Sequence, residues 1–292
     1  MPAKILDGRK ISAQIREELR ERVRRLQRSR VFPGLAGILV GEDSSSQTYI
    51  RLKEKGCAEI GIQSLVVRLA RDVAEAELLN EIHKLNLDSK IHGIFVQLPL
   101  PQHLNEDKIL SAVSPDKDVD GFHPINVGRA WAGQPLFLPA TPIAIYEILV
   151  RSGCDVIGKH VVIVGADNLV GKPLASIFLR EKNRANVTLC HPSTPDLASY
   201  TQRADILVVS VNKPRFITAD MVKRGAVVID FGYNWVETEG EKKLVGDVDF
   251  DAVSQKAGAI TPVPGGVGPM TVTMLLANTV TAAERQAASA VE

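Results

Sequence analysis

The sequence predicts an α/β protein of two domains, each built on a parallel sheet. The 292 residues suffice for about two domains of ordinary size. Short apolar runs rich in β-branched residues alternate with amphipathic segments, which is typical of parallel strands covered by helices on both faces. A proline-rich stretch at 99–142 interrupts the alternation, and we expect the domain boundary near its end, around 138–142.

The first half of the chain opens with an amphipathic helix. Its apolar residues recur at helical spacing, namely Ile11, Ile15, Leu19, Val23 and Leu26. After it, the pattern predicts strands at 35–40, 65–69 and 93–98 and helices at 44–60 and 75–87. We expect the hydroxyls of residues 44–46 to cap the second helix and Gly61 to end it.

The second half repeats this alternation. A helix at 143–150 is followed by predicted strands at 161–164, 187–190, 206–211 and 227–231. Helical stretches are expected between the first two of these strands and after Thr218. The last helix is predicted from about Thr271 to Glu284, just after Pro269, which suits the start of a helix.

Composition excludes several classes of protein. The 35 basic and 34 acidic residues nearly cancel, which gives no electrostatic case for nucleic acid. No apolar run approaches the ~18 residues of a membrane span, and residues 1–10 lack the apolar segment of a secretory signal. The cysteines (Cys57, Cys154, Cys190) and the six histidines lack metal-site spacing, so we expect a cytoplasmic protein with free thiols and no metal.

A candidate phosphate loop follows the predicted strand at 161–164. Gly165 and Gly171 flank it, and glycine lets a backbone approach a pyrophosphate whose charge the helix N-terminus binds. The spacing matches neither G-x-G-x-x-G nor the P-loop, so an ordinary tight turn fits the loop equally well. The three strands predicted after it favour a Rossmann-like dinucleotide-binding domain.

Tyr49 and Lys53 lie one helical turn apart, on a helix that begins at the carboxyl end of the first strand, where α/β sheets bind ligands. By spacing alone, a solvated surface pair fits them better. Tyr-x-x-x-Lys also occurs in short-chain dehydrogenases, but there the dinucleotide loop comes first and lies in the same domain. Gln97 ends a buried strand, where a polar side chain is either bonded to backbone or faces a ligand.

Two loops complete the candidate set. The run 116–121 reads D-x-D-x-D-G, but the twelfth position of the corresponding calcium loop is Val127 rather than Glu, which argues against calcium. What remains is a carboxylate-rich loop that either forms a capped turn or grips the N–H groups of a ligand. The Gly-rich run at 262–271 opens the last helix and forms either a hinge or a ligand wall.

Together these segments resemble the bifunctional methylenetetrahydrofolate dehydrogenase/cyclohydrolases, over nearly the whole chain and in the same order. The most specific blocks are Gln-Leu-Pro-Leu-Pro at 97–101, Lys-Asp-Val-Asp-Gly-Phe at 117–122 and Pro-Gly-Gly-Val-Gly-Pro-Met-Thr at 264–271. The resemblance implies a substrate domain at 1–140 with three layers around a parallel sheet, completed by the C-terminal helix at 271–292. It also implies a Rossmann-like NAD(P)-binding domain at 141–270 and an active site in the interdomain cleft.

The resemblance further implies a homodimer that oxidises 5,10-methylenetetrahydrofolate with NADP and hydrolyses the methenyl product to 10-formyltetrahydrofolate, within one-carbon folate metabolism. Lys53 is then the catalytic lysine, Tyr49 packs on the folate, Gln97 hydrogen-bonds Lys53 and Asp120 grips the pterin. Further substrate contacts are expected at Ser46, Gly266, Gly268 and Pro269. Dinucleotide contacts are expected at Gly165, Ala166, Asp167 and Tyr233.

Ala166 and Asp167 depart from the serine or basic–serine pair that is common in relatives, and Pro192 follows the strand-end His191. A carboxylate near phosphates is unfavourable unless it points away or bonds a ribose hydroxyl. NADP is therefore the expected cofactor, with NAD as the alternative. A monofunctional dehydrogenase, another two-domain NAD(P) dehydrogenase and a non-catalytic dinucleotide sensor are the competing functions.

Overall fold

The computed structural model describes residues 2–238 and 241–289. The strands are β1 (Lys4–Ile5), β2 (Gly34–Val40), β3 (Gln63–Leu69), β4 (Gly93–Val96), β5 (His160–Val164), β6 (Asn186–Cys190), β7 (Ile206–Val209), β8 (Val227–Asp230), β9 (Asn234–Thr238), β10 (Glu241–Val245) and β11 (Ala259–Ile260). The helices are α1 (Gly8–Arg28), α2 (Ser44–Ile60), α3 (Glu75–Leu87), α4 (Glu106–Ala112), α5 (Pro124–Trp131), α6 (Ala140–Arg151), α7 (Gly171–Phe178), α8 (Leu197–Thr201), α9 (Phe250–Ser254) and α10 (Val267–Ser289).

The chain divides into two compact units, each with its own parallel sheet, which confirms the predicted α/β class. The small-sheet unit comprises Gln14–Ala140 and Val272–Glu292, and the large-sheet unit comprises Met1–Ala13 and Thr141–Thr271. The division between residues 140 and 141 lies inside the expected boundary segment. The first thirteen residues group with the second half of the chain rather than with residues 14–140, because β1 pairs with β11.

The small sheet has the strand order β3-β2-β4, with all strands parallel. Val40 is the register partner of Leu69, and Ile38 that of Val96. The three strands therefore end close to one level, and the residues that follow them meet at one edge of the sheet. β2 and β4 are buried throughout, but β3 is largely exposed. The expectation of a sheet covered on both faces is thus wrong for β3, an edge strand.

Helix α2 begins and ends at defined caps. Its N-cap is Asp43, whose carboxylate accepts the backbone N–H of Ser46 at 2.7 Å. The prediction that hydroxyls of residues 44–46 cap this helix is therefore wrong, since a carboxylate one residue earlier binds the free N–H. At the other end, Gly61 adopts φ +87° and its N–H bonds Cys57 O, which confirms the predicted stop.

The large sheet has six parallel strands in the order β1-β11-β8-β7-β5-β6. The predicted strands at 161–164, 187–190, 206–211 and 227–231 are confirmed within two residues as β5 to β8. The helix expected after Thr218 is only a 3₁₀ turn at Ala219–Met221. The β9–β10 hairpin and the two-residue strands β1 and β11 were not predicted. None of the described helices is long and apolar enough to cross a membrane.

Helix α10 starts at Val267, with Pro269 in its first turn, four residues before the predicted start. From Val272 onward it belongs to the small-sheet unit. Asn278 fixes it there, because its side-chain amide donates to Val119 O at 2.7 Å and to Leu138 O at 2.9 Å.

Candidate active site

Lys53 and Gln97 meet at the carboxyl edge of the small sheet. Lys53 lies on α2, and its Nζ donates to Gln97 Oε1 at 3.1 Å. Gln97 follows β4 and continues its pairing through a backbone N–H to Ile38 O. Its Nε2 donates to Leu98 O at 2.8 Å, so the amide is oriented with its oxygen toward the lysine. Gln97 therefore accepts one of the N–H groups of the Lys53 ammonium group.

Phe95 forms the floor beneath Lys53. The Lys53 ammonium nitrogen lies 3.8 Å from the centre of the Phe95 ring, within the range of a cation–π interaction. The ring extends over Gly37, its register partner on β2, and a Cβ on Gly37 would collide with the ring. Sequence reasoning missed Phe95, although strand alternation places residues 95 and 97 on one face of β4.

Burial shifts the pKa values of Lys53 and Asp120 toward their neutral forms, and the attraction between their charges counteracts that shift. Burial lowers the pKa of the Lys53 amine, and the negative charge of Asp120 partly counteracts that effect. Burial likewise raises the pKa of the Asp120 carboxyl to about 6, against the stabilising charge of Lys53 and with a further rise from Asp118. A lysine and a carboxyl that are both shifted toward neutrality can exchange protons with a bound ligand or with water.

Asp118 and Asp120 have different roles, although they stand two residues apart. Asp118 is buried, and its carboxylate accepts the backbone N–H groups of residues 121, 122 and 123 and the Asn126 amide, all at 2.8–3.2 Å. It therefore holds the turn that leads into α5. Asp120 is half-buried and interacts electrostatically with Lys53, which leaves it as the carboxyl able to meet a ligand.

Tyr49 and Ser46 complete the predicted set on α2. Tyr49 lies one turn before Lys53 and is half-buried, whereas Ser46 is buried in the first turn. The structure therefore brings the Tyr49–Lys53 face of α2, Gln97 and Asp120 to the same unit and edge. Among the described residues, no three His, Cys, Asp or Glu side chains cluster as metal ligands.

The loop after β5 packs closely on itself and on the neighbouring strand end. Gly165 adopts φ +123°, and a Cβ there would collide with Ser210 O on the neighbouring strand end. A Cβ on Gly171 would collide with Gly165 O, so the first turn of α7 packs directly on the loop. Only glycine fits at both positions, and the loop, with exposed residues at 167–169, lies at the carboxyl end of β5.

Asp167 is turned onto its own loop. Its Oδ1 accepts the N–H groups of Leu169 at 2.8 Å and Val170 at 2.6 Å. The carboxylate is therefore bonded within the loop itself. Ala166, beside it, is half-buried and apolar.

Two buried carboxylates shape the loops after β7 and β8. Asp247 accepts the backbone N–H groups of residues 211, 212 and 213 at 2.6–3.1 Å and the amide of Asn234 at 2.8 Å. Asp230 accepts those of residues 232, 247 and 248 at 2.8–3.0 Å. These loops flank Tyr233, which is half exposed and contacts Trp235 edge-on at 6.3 Å. The carboxylates escaped sequence reasoning because their partners lie far along the chain.

The Gly-rich run at 262–271 lies in the large-sheet unit. Gly266 is packed against Pro262 and Thr261, so a Cβ there would collide, whereas a Cβ on Gly268 would meet no atom within 4 Å. Pro269 lies in the first turn of α10, and its carbonyl accepts the hydroxyl of Ser12 at 3.4 Å. These predicted substrate contacts thus belong to a different unit from Lys53.

Two family models match the chain and divide it between them. The catalytic domain of tetrahydrofolate dehydrogenase/cyclohydrolase matches residues 6–120, and the NAD(P)-binding domain of the same enzyme matches residues 139–287. The chain belongs to this family. The resemblance drawn from the sequence motifs is therefore confirmed.

Individual members of the tetrahydrofolate dehydrogenase/cyclohydrolase family are similar over their whole length. A bifunctional protein FolD from Moorella thermoacetica is 55% identical over 98% of this chain and 100% of its own. The crystal structure of a bifunctional FolD from Campylobacter jejuni superposes with a TM-score of 0.94 at 47% identity, covering 97% of this chain and 99% of that one. A FolD from Trypanosoma brucei, solved with NADP and an inhibitor, has a TM-score of 0.94 at 39% identity over 98% and 99% of the two chains.

Proposed function

We propose that the protein oxidises 5,10-methylenetetrahydrofolate to the 5,10-methenyl form with NADP and then hydrolyses that product to 10-formyltetrahydrofolate. Membership in the family supports both activities. The single observation that supports the chemistry is the desolvated Lys53 amine, held by Gln97 and Phe95 and facing the charge of Asp120.

The oxidation depends mainly on position. NADP supplies the hydride acceptor when bound, and the protein has to hold two reactants in contact. We assign the pyrophosphate to the Gly165–Gly171 loop because this loop follows β5 at its carboxyl end and leads into the first turn of α7, which is where α/β sheets bind phosphates. Asp120 fits the N–H groups of a pterin, because its ionised carboxylate accepts two hydrogen bonds side by side.

The hydrolysis needs a base beside a cation. The methenyl group is positively charged, so its presence lowers the pKa of the Lys53 amine beyond the effect of burial. A neutral amine accepts a proton from water as the water attacks the methenyl carbon. Because Gln97 Oε1 accepts one Lys53 N–H, the lone pair is oriented away from Gln97. The presence of both side chains supports the bifunctional enzyme over a dehydrogenase alone.

The cofactor preference is proposed as NADP. Asp167 is bonded to the amides of its own loop, so its carboxylate does not reach out to a ribose hydroxyl in the way that selects NAD. The alternative, an NAD-dependent enzyme, predicts the reverse ratio of rates. Hydride-transfer rates measured with equal concentrations of the two dinucleotides distinguish them.

A spectrophotometric assay tests the whole proposal. With 5,10-methylenetetrahydrofolate and NADP, the methenyl absorbance is expected to appear and then decay as 10-formyltetrahydrofolate forms. Asp120→Ala is expected to weaken folate binding far more than dinucleotide binding. No methenyl signal with either dinucleotide would refute the dehydrogenase. A signal that appears and never decays faster than in buffer would refute the cyclohydrolase.

The domain roles and the assembly are part of the same proposal. We infer that residues 1–140 with 271–292 bind folate and that residues 141–270 bind the dinucleotide. We also infer a cytoplasmic homodimer. The exposed edge of β3, where Leu65 is 44% exposed, supports a dimer, since a second copy would cover it. Sedimentation equilibrium tests the dimer, and a monomer would refute it.

A further inference from the structure

Two adjacent carboxylates, Asp230 and Asp247, are buried behind the loops at the carboxyl edge of the large sheet. They are 3% and 0% exposed, and Asp230 Oδ1 accepts the backbone N–H of Asp247 at 2.9 Å. The other donors to the two carboxylates are backbone N–H groups and one asparagine amide. Within residues 2–238 and 241–289, neither carboxylate forms an ion pair. We call them the buried acid pair.

The charge of the buried acid pair is not balanced by a neighbouring cation. Lys213 donates its backbone N–H to Asp247, but its ammonium group lies 5.2 Å from the centre of the Phe216 ring. Buried charges in proteins are usually paired with an opposite charge, because burial without one is costly. The pair therefore produces a negative potential at this edge of the sheet, which a bound positive charge would reduce.

The loop after β7 turns its oxygen atoms toward the loop at 165–171. The N–H of Val211 donates to Asp247 Oδ2 at 2.6 Å, and in a trans peptide the preceding carbonyl, that of Ser210, points the opposite way. A Cβ on Gly165 would lie 2.1 Å from Ser210 O, so this oxygen faces the loop at 165–171. Because Asp247 accepts the N–H groups of residues 211–213, this part of the edge suits a positive group better than a phosphate.

The strand order places the nicotinamide half of a dinucleotide on the same side. The loop at 165–171 follows β5, and the strands lie in the order β8-β7-β5-β6. In doubly wound sheets the adenosine ribose is bound at the end of the second strand, which is β6 here. The nicotinamide therefore lies toward β7 and β8, and the end of β8 is two strand spacings, about 10 Å, from that of β5.

We infer that the buried acid pair makes the dinucleotide site select the oxidised cofactor, whose nicotinamide ring is positively charged, over the reduced cofactor, whose ring is neutral. The inference rests on the proposed function, because it needs a dinucleotide on the loop at 165–171. That loop binds the cofactor, and the pair acts only on the charge of its ring. Oxidised NADP is then bound in preference, and NADPH is released more readily after the hydride transfer.

The titration of Asp230 gives a test without any substitution. Burial, with a smaller contribution from the charge of Asp247, raises the pKa of the Asp230 carboxyl to about 6, against three backbone hydrogen bonds. Around Asp230, the end of β11 contributes the hydroxyl of Thr261, and the turn after β8 contributes the N–H of Gly232. In the described part of the chain, Asp247 is the one titratable group that shifts this pKa. Between pH 8 and pH 5 the pair therefore loses one of its two charges.

The experiment measures the Kd of oxidised NADP and of NADPH by calorimetry on the whole protein, at pH 8 and at pH 5. We expect the ratio of the NADPH Kd to the NADP Kd to fall about threefold to tenfold at the lower pH. This is the effect of one charge about 10 Å from the ring at an effective dielectric constant of about 20, reduced by its hydrogen bonds. The phosphates of the dinucleotide titrate in both redox forms, so their effect cancels in the ratio.

Two variants locate the effect. Asp230→Asn cannot ionise, so its ratio is expected to stay near the value of the unmodified protein at pH 5 over the whole pH range. A purely structural role would instead raise both Kd values equally and leave the ratio and its pH dependence unchanged. Asp251→Asn removes an exposed carboxylate from α9 of the same unit and is expected to preserve the pH dependence.

A ratio that is equal at pH 8 and pH 5 in the unmodified protein would overturn the inference, whether or not Asp230→Asn folds. So would a pH dependence that survives in Asp230→Asn or disappears equally in Asp251→Asn. In each of these cases both dinucleotides still bind, so the proposed function stands. Failure of both dinucleotides to bind would instead overturn the proposed function, and the inference with it.

Discussion

Asp120→Asn is expected to make the protein more stable and less active at neutral pH. Burial raises the pKa of the Asp120 carboxyl from 3.8 to about 6 in the folded protein. Between these two values the folded state holds a proton that the unfolded chain has lost. The free energy of unfolding therefore falls as the pH rises from about 4 to about 6, and asparagine, which cannot ionise, removes that loss.

The size of the gain in unfolding free energy follows from the shift in the pKa of Asp120. About two pH units correspond to about 3 kcal/mol, and the partial exposure of Asp120 reduces this to about 1–2 kcal/mol. We expect the variant to exceed the native protein by that amount above pH 7 and to equal it near pH 4. Its KM for the folate is expected to rise at least about tenfold, because a hydrogen bond to a charged acceptor is lost.

Urea unfolding across this pH range, followed by tryptophan fluorescence, measures the stability. The chain has two tryptophans, and Trp131 lies in the same unit as Asp120, whereas Trp235 lies on the β9–β10 hairpin. A Trp235→Phe background therefore reports on the correct unit. Asp116→Asn, at an exposed carboxyl nearby, is the control. A variant less stable than the native protein at pH 8, or a difference that is constant with pH, would refute the reasoning.

Three further predictions concern the same residues. Lys53→Met is expected to leave the fold intact and to slow hydrolysis by at least about 100-fold, as loss of a general base does. The methenyl product should then accumulate. Hydrolysis within tenfold of the native rate would contradict this expectation. Phe95→Leu removes a contact that favours the charged form of the Lys53 amine. The acid limb of the pH profile of hydrolysis should therefore move down by about half a pH unit. An acid limb at the same pH would show that the ring does not influence the pKa of Lys53. Asp247→Asn places an amide against backbone N–H donors, which should lower the unfolding free energy by about 1–3 kcal/mol and raise the KM for the dinucleotide more than for folate. Equal changes in both KM values would show that Asp247 does not act through the loop at 211–213.

Periodicity predicted the long elements well because burial alone determines them. The apolar stripe of α1 and the continuous apolar run of β2 leave one arrangement that buries them. β1 and β11 have only two residues each, too few to show a period. The cap at Asp43 was missed because three serines follow it, and the competition between a carboxylate and a hydroxyl for one N–H depends on geometry that spacing does not contain.

The candidate site was predictable to a smaller extent from spacing alone. Tyr49 and Lys53 at i and i+4 are as typical of a solvated surface as of a site, and only the combination with the motifs around Gln97 and Asp120 favoured the second interpretation. An aromatic residue in a buried strand, such as Phe95, is usually a core residue. Its contact with Lys53 depends on the space left by Gly37, which belongs to another strand.

The pairing of β1 with β11 and the position of α10 determine when the protein can finish folding during its synthesis. The first strand of the chain completes the large sheet only after Ile260 has been made, and the small-sheet unit waits for residues 272 onward. Neither unit is therefore complete until the ribosome has synthesised most of the chain. For the same reason, no single cut separates the two units, because each is assembled from two separated segments of the chain.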